Sequence, residues 1–266
     1  MKLAAALLLS FGVSAPALAA GQLPKTVVPV TYDITVRPDA GALTFTGEET
    51  VVVDVRQPTA TVTLNAADLK IRRATFDGRA VPVKLDAAAQ TMTLTLPRAA
   101  TVGRHTLAFA WDGKINQSAS GLFATDYTGV DGSPARMLAT QFEAPDARRF
   151  APMWDEPSFK ARFRLSAVAP AGQLAVSNMP VTSITRQGDG AQIYRFGESP
   201  LMSSYLLFLG MGDLERKTVK AGEVEVGVIS RRGVVDRAIM RSARRRSCCA
   251  TTKTISASLT RSPSST

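Results

Sequence analysis

Residues 140–163 read TQFEAPDARRFAPMWDEPSFKARF. Pro145, Pro152 and Pro157 forbid a long helix or a central strand here, because each removes a backbone donor and fixes φ. Charged and aromatic residues interleave with neither a two-residue nor a 3.6-residue period. The stretch predicts a conformationally fixed loop rich in carboxylates (Glu143, Asp146, Asp155, Glu156) and cations (Arg148, Arg149, Lys160, Arg162). Two roles fit those charges. They form a hydrogen-bonded corner closing one end of a β-sandwich, with Trp154 and Phe163 beneath, or a carboxylate among them faces a cleft and recognises a cation.

On either side of this region the chain alternates with period two. TYDITV (31–36) places Tyr32, Ile34 and Val36 on one face, and ETVVVDV (49–55) does the same for Val51, Val53 and Val55. TVTL (61–64), TMTLTL (91–96) and HTLAFAW (105–111) follow, then ARFRLSAV (161–168), QIYRF (192–196), the more apolar SSYLLFLG (203–210) and VEVGVI (224–229). Turn signals separate them at PDAG (38–41), FDGRA (76–80), WDG (111–113), RQGDG (186–190) and GMGD (210–213). Helical periodicity is scarce. The expected class is all-β, a large, bent and mostly antiparallel sheet or sandwich. Apart from ARFRLSAV, the stretch from about Gly121 to Pro180 departs from the alternation. A boundary is expected around ERKTVKAGE (215–223), a polar stretch between the last two strands.

The chain has 266 residues, enough for a substantial core, and a formal charge of +10. Seven basic residues and no acidic one lie in 237–266, and Lys2 adds another, so the body carries only about +2. Basicity confined to a tail gives no reason to expect a nucleic-acid partner. Cys248 and Cys249 are adjacent, which disfavours a disulfide between them, and the body has no cysteine. With those two cysteines and His105 as the single histidine, no zinc finger or histidine-rich metal site can be assembled. His105 itself is expected at the start of a strand, exposed or hydrogen-bonded.

The first twenty residues, MKLAAALLLSFGVSAPALAA, combine a basic Lys2, an apolar run from Leu3 to Val13 and small residues at Ala17 and Ala19. The run is too short to span a bilayer, and the pattern is that of a secretory signal peptide. The mature chain is expected to start near Ala20 or Gly21 and to be periplasmic or secreted. No other stretch is apolar and long enough to be transmembrane.

The TQFE stretch at 140–143, the D-A-R-R run at 146–149 and W-D-E-P-x-x-K-A-x-F at 154–163 together resemble the N-terminal domain of the aminopeptidase N family, zinc metallopeptidases of the gluzincin type. Further landmarks follow in order: VPVTYDITVRPD (28–39), FTGEETVVVDV (45–55), TVTLNAADLKI (61–71), GLFATDY (121–127), AVSNMP (175–180) and PLMSSYLLFLGMGDLE (200–215). The resemblance covers about residues 26–232. One departure is Ala151 before Pro152, where many relatives have an aromatic; this looks like subfamily variation.

The resemblance implies that Gln141 and Glu143 reach from the β domain toward a catalytic cleft and bind the peptide N-terminus. The chemistry is sound, since a fixed carboxylate recognises a free α-ammonium by charge-assisted hydrogen bonding. An ion pair of Glu143 with Arg148 or Arg149 is the competing role. Asp146, Arg148, Trp154, Asp155, Glu156, Pro157 and Lys160 belong to the structural motif, with Asp155, Glu156 and Lys160 expected as buried or corner charges satisfied by one another.

Catalysis in this family requires a G-A-M-E-N stretch and H-E-x-x-H, whose histidines hold the zinc. Neither occurs here, so this chain is expected to hold no zinc, to carry no catalytic residue and to lack the catalytic domain. The organisation expected is a signal peptide at 1–20, the β domain at 21–218, the first strand region of the catalytic domain at 219–236, and a disordered tail at 237–266. Relatives carry a segment close to Y-Y-x-x-Y-F-G-x-P-Y-P-L-P-K-L-D where this chain has SCCATTKTISASLTRSPSST (247–266). Shifted by one base, the codons of residues 248–266 permit L-L-R-Y-Y-Q-N-Y-F-G-V-P-Y-P-L-P-K-L-D, which points to a frameshift between roughly Asp236 and Ala243. The alternative is a stand-alone, non-catalytic peptide-binding or adaptor module with the same fold. Translating the source DNA in the other frame beyond codon 236 is expected to reveal G-A-M-E-N and H-E-x-x-H; their absence there would sink the frameshift.

Overall fold

A computed structural model describes residues 22–221, 223–237 and 239. The signal segment at 1–20 and nearly all of the tail at 237–266 lie outside the described residues. In chain order the first strands are β1 (Val27–Asp39), β2 (Thr44–Val55), β3 (Thr59–Asn65), β4 (Lys70–Phe76), β5 (Arg79–Ala80), β6 (Val83–Asp86), β7 (Thr91–Ala100) and β8 (Gly103–Lys114). Then come β9 (Gly121–Thr128), β10 (Pro134–Gln141), β11 (Lys160–Ala169), β12 (Leu174–Ser177), β13 (Val181–Arg186), β14 (Gln192–Phe196), β15 (Met202–Ser203), β16 (Leu209–Gly212), β17 (Leu214–Ala221) and β18 (Val224–Arg231).

The expected all-β, mostly antiparallel architecture is what forms. A nine-stranded sheet runs β13-β14-β11-β1-β2-β8-β4-β5, with β15 also paired to β11. Smaller sheets are β12-β16-β10-β9, β3-β7-β6 and the β17-β18 hairpin. One central pairing is parallel: β1 runs alongside β11, with Tyr32 opposite Phe163 and Ile34 opposite Leu165.

Alternation explains the layering. Tyr32, Ile34 and Val36 of β1, Val51, Val53 and Val55 of β2, and Leu107, Phe109 and Trp111 of β8 are all buried. They share one core with Val62 and Leu64 of β3 and with Met92, Leu94 and Leu96 of β7. Each such side chain contributes about 1.5–3 kcal/mol through lost water contact. Glu49 breaks the pattern, since it is buried and neither carboxylate oxygen has a hydrogen-bond partner among the described residues. Burial pushes its carboxyl well above the usual range.

Four sequence expectations need correction. WDG (111–113) is not a turn but the inside of β8. Gly47 stands opposite Trp111, and Phe45 opposite Gly113. A Cβ on Gly47 would overlap the Trp111 ring, and one on Gly113 the Phe45 ring. The glycines therefore seat aromatics across the ladder rather than reverse the chain. SSYLLFLG is not one strand, because a 3-10 turn at Ser204–Leu206 interrupts it. ERKTVKAGE does not lie between strands but is largely a strand itself, since Leu214–Ala221 is β17 and pairs with β18 over its whole length; position 218, where the β domain was expected to end, falls inside that strand. Finally, 121–180 contains regular structure, with β9 and β10 paired from Gly121–Gln141 to Thr128–Pro134. Their side chains are largely half-buried, which erases the apolar alternation while the backbone ladder persists.

Gly47→Ala is expected to lower stability by about 1–3 kcal/mol through overpacking against Trp111. Urea unfolding checks this, and an unchanged midpoint would show that the ring moves aside freely.

Candidate functional site

The stretch at 140–163 is held from three directions. Trp154 N–H donates to the Tyr32 hydroxyl oxygen at 3.1 Å. The Trp111 indole N–H donates to the Phe150 carbonyl at 3.0 Å. Asn65 makes a two-way backbone bridge to Met153, at 2.9 and 3.0 Å, while its side-chain oxygen accepts from Asp155 N–H at 3.0 Å. Beneath the loop, the Tyr32 and Phe163 rings stack with centroids 4.9 Å apart, and Phe150 lies against Phe45 and Phe142. Trp154 and Phe163 are buried, as the corner arrangement requires.

Asp155 is the hub. Its side chain is 2% exposed and that of its partner Arg148 is 11% exposed. Asp155 Oδ2 accepts from Arg148 N and Nε, both at 3.1 Å, and Oδ1 accepts from the Ser204 hydroxyl at 2.6 Å. Arg148 also donates to the Asp155 carbonyl at 2.9 Å and to Gln90 Oε1 at 3.3 Å. Ser204 gives its hydroxyl to that carboxylate at the point where the strand expected through 203–210 breaks, and Ser203 just before it donates to the Pro157 carbonyl at 2.9 Å.

The other charges find different partners from those expected. Asp155, Glu156 and Lys160 do not satisfy one another. Glu156 Oε1 accepts from Leu23 N–H at 2.6 Å, anchoring the start of the described chain, and Lys160 is exposed. Arg149 donates to Asp146 Oδ1 at 2.9 Å and also pairs with Asp68. Pro157 is exposed at the rim.

Gln141 and Glu143 behave unlike their neighbours. β10 ends at Gln141, opposite Gly121 of β9. The next residue, Phe142, is buried against Phe150, with ring centroids 5.2 Å apart. This plants the chain, so Gln141 and Glu143 are both exposed on either side of it. Gly121 has φ +65, and a Cβ there would lie 3.1 Å from Arg149 Cβ. The absence of a side chain lets Arg149 pack under the end of the hairpin. Among the described residues Glu143 has no ion-pair or hydrogen-bond partner, and Arg148 and Arg149 are both engaged elsewhere.

The residues that complete the corner without having been legible in the sequence are Tyr32, Asn65, Gln90 and Ser204. They lie between 49 and 122 positions from the atoms they meet on the loop, and no local pattern marks them.

The Peptidase M1 N-terminal domain model matches residues 28–206. The chain belongs to the M1 peptidase family, through its N-terminal domain. Similar M1 relatives include Aminopeptidase N of Acetobacter pasteurianus, 45% identical over 217 residues, which are 81% of this chain and 61% of that protein. Aminopeptidase M1-C of rice is 41% identical over 72% of this chain and 22% of its own length. Human Endoplasmic reticulum aminopeptidase 1 is 31% identical over 78% and 23% respectively. This chain thus spans about three fifths of the first relative's length and about a fifth of the other two.

Asp155→Ala is expected to cost about 3–5 kcal/mol, because it leaves Arg148 buried and unpaired. Chemical unfolding of the variant checks this, and a loss below about 1 kcal/mol would remove Asp155 as the hub of the corner.

Proposed function

We propose that this chain is the recognition domain of an exported zinc aminopeptidase, in which Glu143 receives the α-ammonium of a peptide N-terminus. One observation carries this. Within a loop whose carboxylates Asp146, Asp155 and Glu156 are all bound internally, Glu143 alone stands exposed, with no partner among the described residues. A preorganised carboxylate of this kind suits a primary ammonium, since charge-assisted hydrogen bonds to it are short and strong. Gln141, exposed beside it, supplies an uncharged amide donor and acceptor to the same substrate end.

Hydrolysis itself falls to a part of the enzyme other than these residues. Among the described residues no three His, Cys, Asp or Glu side chains converge to hold a metal, and the sequence has one histidine. The described residues therefore do not fit zinc. The natural partner is the catalytic domain. The exposed Phe208 and Ile229, each 40% accessible, border a groove between β10, β16 and the β17-β18 hairpin where such a domain would seat. Export rests on the signal-like segment at 1–20; no helix among the described residues is long and apolar enough to cross a membrane.

Incubated with zinc and an aminoacyl anilide, the chain alone is expected to release no product. Joined to the catalytic part of an M1 aminopeptidase it should support cleavage, and Glu143→Gln should then lower kcat/KM by about 10–100-fold, the worth of one charged hydrogen bond. An unchanged kcat/KM would refute the role of Glu143. Calorimetric binding of free peptide N-termini to the chain alone would instead favour the stand-alone binding module.

A further inference from the structure

His105, the single histidine of the sequence, sits near the start of β8 on the same side of the strand as Leu107, Phe109 and Trp111. Its side chain is 14% exposed, at the rim of the core. Two turns meet there. In the β4–β5 turn, Asp77 and Gly78 both have positive φ, at 48° and 76°, as an Asp-Gly hairpin turn requires. Asp77 N–H donates to the Thr106 carbonyl at 2.8 Å, and Asp77 Oδ1 accepts from Thr106 N–H at 2.9 Å. That leaves Oδ2 free for His105 Nδ1, 2.7 Å away. On the other side of the ring, Nε2 lies 2.9 Å from the carbonyl oxygen of Thr101, in the β7–β8 turn.

Both partners are acceptors. A carboxylate and a backbone carbonyl have no hydrogen to offer, and a neutral imidazole carries only one N–H. Satisfying both contacts requires the doubly protonated ring. The Phe76 ring stacks on the imidazole with centroids 4.9 Å apart, and an aromatic face also favours a cation. β7 belongs to the three-stranded sheet, whereas β4, β5 and β8 belong to the main sheet. We propose that His105 is a pH-sensitive clasp: as an imidazolium it ties the β4–β5 turn of the main sheet to the turn leaving the three-stranded sheet, and on deprotonation it lets one of them go.

The charges around the ring are few. Asp77 touches it directly. Arg104 precedes it on β8 and stands opposite Asp54 of β2, which lies 4.0 Å from Arg56; Arg79 of β5 stands opposite Phe76. The Asp77 hydrogen bond raises the affinity of His105 for its proton. Burial pushes the Asp77 carboxyl up, but hydrogen bonds from His105 and Thr106 outweigh it and hold the group below its usual range. The signs follow from linkage. The contribution of His105 is complete below the ordinary imidazole range and is lost as pH rises through the raised folded value. That of Asp77 is present above the ordinary carboxyl range and is lost as pH falls through its lowered folded value. The clasp is tightest between those ranges and opens on the alkaline side.

An untagged, ¹⁵N-labelled full chain shows one imidazole, which makes the test direct. At pH 6 both ring nitrogens are expected at protonated shifts, with a titration midpoint above that of a free histidine and a downward move of the midpoint in Asp77→Asn. In urea unfolding, wild type should lose stability between pH 6 and pH 8.5, and His105→Gln should lose less. A neutral ring at pH 6, a midpoint unmoved by Asp77→Asn, or equal pH dependence of wild type and His105→Gln would overturn the clasp. Should Asp77→Asn fail to fold, the wild-type ring shifts and the His105→Gln comparison still decide.

Discussion

The buried pair of Asp155 and Arg148 is the constraint on which the rest of the loop depends. Placing two charges away from water costs several kcal/mol per ion, and mutual attraction alone does not reliably offset that. Here Asp155 accepts three hydrogen bonds through its two oxygens, and Arg148 is shared among the Asp155 carboxylate, the Asp155 carbonyl and Gln90. Forming all of these bonds at once constrains the arrangement of the chain. It brings the D-A-R-R run, the W-D-E-P run and the segment around Ser204 to a single point. The pair is thus better understood as a device for uniqueness than as a source of net stability.

Rigidity at that point is transmitted to Glu143 by packing. Phe150, whose carbonyl is held by Trp111, presses on Phe142, and Phe142 separates the two exposed residues of the proposed recognition site. Trp111 can take its place because Gly47 opposite has no side chain. A chain of close contacts therefore runs from the centre of the main sheet to the surface carboxylate. An exposed carboxylate on a loose loop would have to be ordered by its ligand, and the ordering entropy would be subtracted from affinity. On this seat little of that cost remains.

Much of the fold was legible because burial of one sheet face imposes a period of two, as Tyr32, Ile34 and Val36 or Met92, Leu94 and Leu96 show. What was illegible had identifiable causes. β9 and β10 are half-buried on both faces, so their pairing is recorded in backbone hydrogen bonds that any sequence can make. Gly113 carried a turn signal although its use is to admit the Phe45 ring, and the two roles of glycine are indistinguishable in a one-dimensional string. SSYLLFLG has the composition of a buried strand, but the hydroxyl of Ser204 is committed to a carboxylate 49 positions away. At the candidate site the carboxylates and cations were visible as a cluster, while their partition into bound and free was not.

By itself, the sequence determined the all-β class, the inner face of most long strands and the conformational rigidity of residues 140–163, because hydrophobic alternation and proline act locally. Only the tertiary structure decided which charge pairs with which. Arg148 chose Asp155, Arg149 chose Asp146 and Asp68, Glu156 took the Leu23 amide, and Glu143 was left over. Local spacing alone would have allowed Glu143 to pair with Arg148 or Arg149. The difference lies in long-range geometry: Tyr32, Asn65 and Ser204 fix the path of the loop from strands far away in sequence, and that path alone sets which oxygen each guanidinium can reach.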